Sequence, residues 1–385
     1  MKSAISVIRQ RWRDPRSELR EIVGLFVISR MTLVVVGWVA LGRIPWGYYS
    51  PAYNLSQKAW LVMWLRWDAL WYIRIARFGY FQTKALAFFP TYPLLIRAVH
   101  IVTRMPFDVS ALVVANVMTI AFLVVFRALL AEYFPQAVRS RTLWAVLAFP
   151  TAFFLSAAYT EATFLFFSVT VFWLARRRRF WWGGAVAVFA VLTRNEGVFT
   201  VIPLLWQYYE AYGWRWRWNL LSVLLIPVAM FAFMGFQWQH FGNPLAFVAA
   251  QSAWGRHISP PWVGPWLAVQ RIWLGNSLQA STVLSMIDLS FGLTSAALWM
   301  YSRRRLPTDW MIYWAVLLLI DFSAPSPYGR SPLLSMSRLV LILFPMFAAV
   351  GILTENTTWQ KMANWLFPML QAVFFTIFAT WHWIA

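Results

Sequence analysis

The sequence predicts an all-α polytopic membrane protein, and three observations carry that prediction. Of its 385 residues, 61% are hydrophobic and only 12% charged, with a mean hydropathy of +0.59, far from the values of soluble domains. Apolar stretches recur along the chain, separated by Arg-rich turns. Trp is frequent, with 27 residues, as expected where amphipathic rings sit at two membrane–water interfaces. A net charge of +20 would suit nucleic acid in a polar chain; in so apolar a chain it reads as topology, basic residues collecting in cytoplasmic loops. There is no Cys, which excludes disulfides and thiolate metal sites.

The segments follow in order. Residues 1–20 are basic and polar and read as a cytoplasmic tail rather than a cleaved signal peptide. A first crossing runs from Glu21 to Leu41 and contains Arg30, a charge costly enough there to predict a protein-facing position. Residues 43–107 read as a long first outer loop with juxtamembrane helices. Within it, DALWYIRIARFGY predicts a short amphipathic helix opened by Asp68 and closed at Gly79, lying in the membrane interface. Ala85 to Val102 is apolar but holds Pro90, Pro93 and Arg97, and so makes a poor span.

Further crossings are expected over Val109–Leu130, Thr142–Phe154, Glu161–Ala175, Trp181–Leu192, Gly197–Tyr209 and Asn219–Trp238. A second long outer segment, 239–279, is followed by crossings at Ala280–Met300, Trp310–Phe322, Leu339–Thr354 and Trp365–Ile384. The total is about 11 spans in one transmembrane domain over 1–385, with the N-terminus inside. This arrangement puts more than half of the 33 Lys and Arg on the inner side, including the run Arg176 to Arg179.

The same topology gathers the unusual polar residues on the outer face: Asp68, Glu161, Arg194 with Glu196, Arg256 with His257, and Arg338. Each has an ordinary structural reading. Asp68 suits a helix N-cap, Glu161 a first helical turn, Arg194 a snorkelling side chain and Arg338 an interfacial anchor. Asp288 and Asp321 lie nearer apolar spans, as buried partners for arginines. Together they suit one chemistry, with arginines to hold the phosphate of an anionic lipid headgroup and a carboxylate to take a proton from an attacking hydroxyl. The four His lack metal-protease spacing, and no P-loop or nucleophile elbow occurs.

RWDALWYIRIARFGY followed by AFFPTYPLL resembles the RWDAxxxxxIAxxGY and AFFPxxPL signatures of the PIG-V-like mannosyltransferases, whose eukaryotic members are the GPI mannosyltransferase 2 enzymes. FPTAFFLSAAYTEATF, LTRNEG, FGNPLAFVAAQSAWGR and SMSRLVLILFP extend the likeness over most of the chain; a compact chain of this kind suits a bacterial member. Two departures stand out. Trp71 replaces the family's His after WDA, and Asn195-Glu196 replaces Ser-Asn, changes that bear on acceptor and sugar preference.

The resemblance implies a GT-C-fold glycosyltransferase that moves a sugar, mannose, from a polyprenyl-phosphate donor to a hydroxyl of a glycolipid or glycan acceptor. Asp68 is then the expected general base, with Glu161 a further acid. Arg194, Arg338, Arg66 and Arg256 are expected at the donor phosphate. Trp67, Trp71, Tyr72, Tyr159, Asn195 and Glu196 are expected to form the sugar and acceptor pocket, although Trp67, Trp71 and Tyr72 suit interface anchoring as well. No metal ligands are assigned, and a divalent cation is left open as a cofactor. The expected partners are the lipid-linked sugar donor, the acceptor and the bilayer, with no nucleic acid. The expected location is a cell membrane with the active site extracytoplasmic. The alternatives are transfer of another lipid-linked sugar and a lipid-linked-sugar transporter or flippase.

Overall fold

A computed structural model describes residues 15–47 and 58–384, and those residues contain helices and no strands. Residues 1–14 of the expected cytoplasmic tail and residues 48–57 of the expected first outer loop lie outside the described residues. Among the described residues five helices are long and apolar enough to cross a membrane: Leu19–Arg43, Phe107–Leu130, Trp218–Phe241, Ala280–Ser302 and Thr357–Ala379. A sixth candidate is broken, Met336–Ile342 and Phe344–Leu353 meeting at 85°. The chain is thus an integral membrane protein by the same apolar segments that the sequence displays.

The other five expected crossings are shorter helices. Gln136–Ala148, Glu161–Arg176, Phe180–Val191, Val201–Tyr212 and Thr308–Phe322 have 13, 16, 12, 12 and 15 residues. At 1.5 Å per residue they reach about 18–24 Å, less than the ~30 Å hydrocarbon core. Five or six helices therefore meet the length of a span, against the expected total of about 11. Two expected boundaries also move. The expected Leu339–Thr354 crossing is the bent pair, and the last helix begins eight residues early because Asn356 accepts hydrogen bonds from Thr358 N and Trp359 N, at 2.9 and 3.4 Å.

The expected amphipathic helix forms as Ala69–Phe78 and ends at Gly79 with φ of 75°. It buries Ala69, Leu70, Tyr72, Ile73, Ile75 and Ala76 while Arg74 and Arg77 stay exposed. The proline-broken stretch after it becomes a 3-10 turn, Thr83–Ala87, and a helix, Thr91–Thr103. Arg30 is 7% exposed with its guanidinium 5.3 Å from the centre of the Phe26 ring, the protein-facing position expected of a charge inside a span.

The core beneath the site is aromatic. Phe153, Phe154, Tyr159 and Phe378 pack at 4.5–6.1 Å between ring centres, which fastens the last helix to the hairpin before Glu161.

Candidate active site

Asp68 stands at the N-cap position of Ala69–Phe78, but its side chain makes no capping hydrogen bond. Its Oδ2 instead accepts from Arg338 Nη1 at 2.8 Å, across 270 positions of sequence. The residue before it, Trp67, has a φ of 49°, a conformation that a bulky side chain holds only where surrounding structure enforces it. Tyr159 supplies part of that enforcement: its hydroxyl donates to Arg66 O at 3.1 Å and accepts from Asp68 N at 3.3 Å.

From Asp68 a chain of charges runs inward. Arg338 Nε lies 3.4 Å from Glu161 Oε1, and the same oxygen accepts from Arg194 Nη1 at 3.1 Å. Arg194 Nη2 then reaches Glu196 Oε1 at 3.4 Å. Burial alone would lower the Arg194 guanidinium, but Glu196 and Glu161 outweigh it and hold the group above its ordinary range. Arg338 also stacks over Tyr159 and Phe154, at 5.2 and 5.6 Å.

Three irregular elements deliver these groups. Glu161 opens its helix and is 1% exposed. Arg194 precedes the 3-10 helix Asn195–Thr200, whose Gly197 lies so close to Ala190 that a Cβ would fall 2.3 Å from backbone atoms. Arg338 rides on the first arm of the bent pair. Ser337 beside it is held on both sides, its N–H donating to Asp288 Oδ1 at 3.1 Å and its carbonyl accepting from Thr151 Oγ1 at 2.8 Å.

A cavity of about 680 Å³ opens on this cluster, lined by Asp68, Tyr72, Arg194, Asn195, Glu196, Arg256, Asp321 and Arg338 among others. Tyr72 Oη lies 3.4 Å from Thr160 Oγ1. Burial, with the charges of Asp68 and Glu161, raises the Tyr72 phenol above its ordinary range, so it stays neutral. Phe88 and Phe89, from the FFP motif, form an apolar wall. Arg256 donates to Leu334 O at 2.9 Å, and Glu196 Oε2 and Asp321 Oδ2 are buried oxygens without a hydrogen-bond partner among the described residues.

The expected site residues divide into three groups. Asp68, Tyr72, Arg194, Asn195, Glu196, Arg256 and Arg338 share the large cavity, while Trp67 and Trp71 line a neighbouring one. Glu161 and Tyr159 line neither and stand behind the arginines. Arg66 is apart: fully buried, it donates through Nε and Nη2 to Ala379 O at 2.9 and 2.7 Å and fastens the last helix. Asp321 is the residue whose place on the cavity wall the sequence did not reveal. Its only signal was an acid at the end of an apolar stretch. Among the described residues no group of three or more His, Asp or Glu gathers as a metal site.

The apolar helices that carry this acid–arginine network and its cavity make the chain an integral membrane protein. Over residues 50–241 the chain matches the model of the family described as mannosyltransferase (PIG-V), and it belongs to that family. No curated protein matches it significantly. Among solved structures it is similar to the Archaeoglobus fulgidus oligosaccharyltransferase. The form tethered to an acceptor peptide has 11% identity and a TM-score of 0.46, covering 94% of this chain and 55% of that one. The form in complex with an inhibitory peptide and a dolichol-phosphate has 12% identity and a TM-score of 0.37, covering 92% and 56%. The chain spans little more than half the length of the structures it matches.

Proposed function

We propose that the protein transfers mannose from a polyprenyl-phosphate donor to a hydroxyl acceptor at the extracytoplasmic face of a cell membrane, with inversion, in a GT-C fold. The observation that carries this reading is the Asp68–Arg338–Glu161–Arg194 chain at the cavity wall. Arg338, Arg194 and Arg256 offer guanidinium groups to a phosphate, the geometry that favours Arg over Lys. Asp68 takes the proton of the attacking hydroxyl. The transition state carries oxocarbenium character, and the departing phosphate needs charge stabilisation rather than a proton, which the arginines supply.

Glu161 acts here as a positioning residue. One of its oxygens holds both guanidinium groups, so the two move as a unit. Glu196 and Asp321, which line the same cavity, accept hydroxyls of the donor sugar. The apolar wall of Phe88 and Phe89 receives the first isoprene units. The polar groups of the proposed site cluster at one cavity, and this single-sided arrangement supports a transferase over a carrier, which needs access from both faces.

The test is a donor panel. The purified protein in nanodiscs is offered polyprenyl-phosphate-mannose, polyprenyl-phosphate-glucose and a nucleotide sugar, with membrane extract supplying the acceptor. Release of polyprenyl phosphate from the mannosyl donor alone is expected. Turnover of the glucosyl donor alone would leave the class standing and remove mannose, and turnover of the nucleotide sugar alone would remove the lipid-linked donor.

A further inference from the structure

A second cavity, of about 600 Å³, shares Asp68, Trp254, Leu334 and Trp383 with the first. Its chemistry is different. Trp67, Trp71, Trp254, Trp381 and Trp383 line it, and its charged side chains are Asp68 and Arg330. One exposed arginine is a poor match to a phosphate that the neighbouring cavity meets with three.

Arg330 is the informative residue. Its guanidinium lies 5.5 Å from the centre of Trp67 and 5.7 Å from that of Trp383, bridging the two indoles, with no carboxylate partner among the described residues. The loop beneath it is built rather than loose: Arg271 donates to Gly329 O at 2.8 Å and to Pro327 O at 2.5 Å. Ser326 donates to Trp254 O at 3.0 Å, joining the loop to the other wall. Indole faces beside a forked donor and a carboxylate suit a ring with apolar C–H faces and a rim of hydroxyls.

We propose that this aromatic cavity is the acceptor subsite and binds a pyranose of the acceptor glycan against the indoles, its hydroxyls held by Arg330 and one of them presented to Asp68. The inference rests on the transferase reading above. In the reaction the acceptor oxygen bonds to the anomeric carbon of the donor sugar. The bond from that carbon to the phosphate oxygen breaks with its electron pair leaving on phosphate, and the acceptor proton passes to Asp68. The wall consists largely of residues 253–255, 326–334 and 381–383, outside the 50–241 segment that matches the family. Most of the acceptor wall therefore lies in the part of the chain that the family match does not cover, while Trp67, Asp68 and Trp71 come from within it.

The experiment measures two affinities on the full chain in nanodiscs. Phenyl glycosides of mannose, glucose and N-acetylglucosamine probe the acceptor subsite, and polyprenyl phosphate probes the donor site. Arg330→Ala is expected to weaken the best glycoside about tenfold and to leave polyprenyl phosphate within about twofold; Trp67→Phe, which keeps an aromatic face, weakens the glycoside less. Arg194→Ala is expected to do the reverse. Glycoside binding that is absent from wild type, unchanged in Arg330→Ala, or displaced by geranylgeraniol overturns the proposal, the last outcome marking the cavity as a tail site. Polyprenyl phosphate that fails to bind wild type, or that ignores Arg194→Ala, overturns the transferase reading instead, and the glycoside measurements report on the aromatic cavity separately.

Discussion

At the scale of single residues, Glu161 has the most demanding position: 1% exposed, with Oε1 shared by two arginines and Oε2 without a hydrogen-bond partner among the described residues. Removing one member of a buried charge network leaves the others uncompensated, at about 3–5 kcal/mol. Glu161→Ala is expected to lower the unfolding temperature in detergent markedly. Glu161→Gln, which keeps the shape and one acceptor, should fold and raise the donor KM more than it lowers kcat; an unchanged donor KM would contradict its positioning role. The sequence made the acids and arginines visible because charges are rare in so apolar a chain. It did not separate their roles. Arg66 sits two residues from Asp68 in the sequence, yet it points to Ala379 O, because partner choice depends on a helix end more than 300 residues away. Trp383 and Trp254 were equally invisible as cavity walls, since 27 Trp leave no compositional contrast.

At the scale of elements, the site is assembled where helices break. Asp68 precedes one helix, Arg194 one 3-10 turn, and Arg338 sits before an 85° bend. The Asp288 carboxylate that accepts from Ser337 N–H fixes this last break. Asp288→Leu orphans a buried N–H and is expected to cost about 1–3 kcal/mol, with a weaker donor affinity, whereas Asp288→Asn keeps the acceptor and should retain both. Equal losses from the two substitutions, read by thermal unfolding and donor titration, would contradict this role. Gly197→Ala sets a Cβ 2.3 Å from the Ala190 backbone, so it is expected to displace the Arg194 turn and reduce the yield of folded protein. The amphipathic helix ending at Gly79 was legible because periodicity and a terminal glycine are local signals. The bend between Met336–Ile342 and Phe344–Leu353 was not, since hydropathy cannot distinguish a broken apolar run from a straight one.

At the scale of the whole molecule, the account requires a sided protein, with the charge network and both of its cavities outside and the arginine turns inside. The absence of native Cys permits a direct check of sidedness. A single Cys replacing exposed Tyr328 should react with an impermeant maleimide from outside intact cells, and one replacing exposed Arg304 only after lysis. The reverse pattern would invert the topology. The most direct test of the central claim is transfer from polyprenyl-phosphate-mannose by wild type and by Asp68→Asn, in nanodiscs with membrane extract, alongside donor binding. The variant is expected to bind donor and to lose about 10²–10⁴-fold in transfer rate. Equal rates for the two proteins would mean that Asp68 serves only to hold Arg338, and the assignment of the base would be wrong.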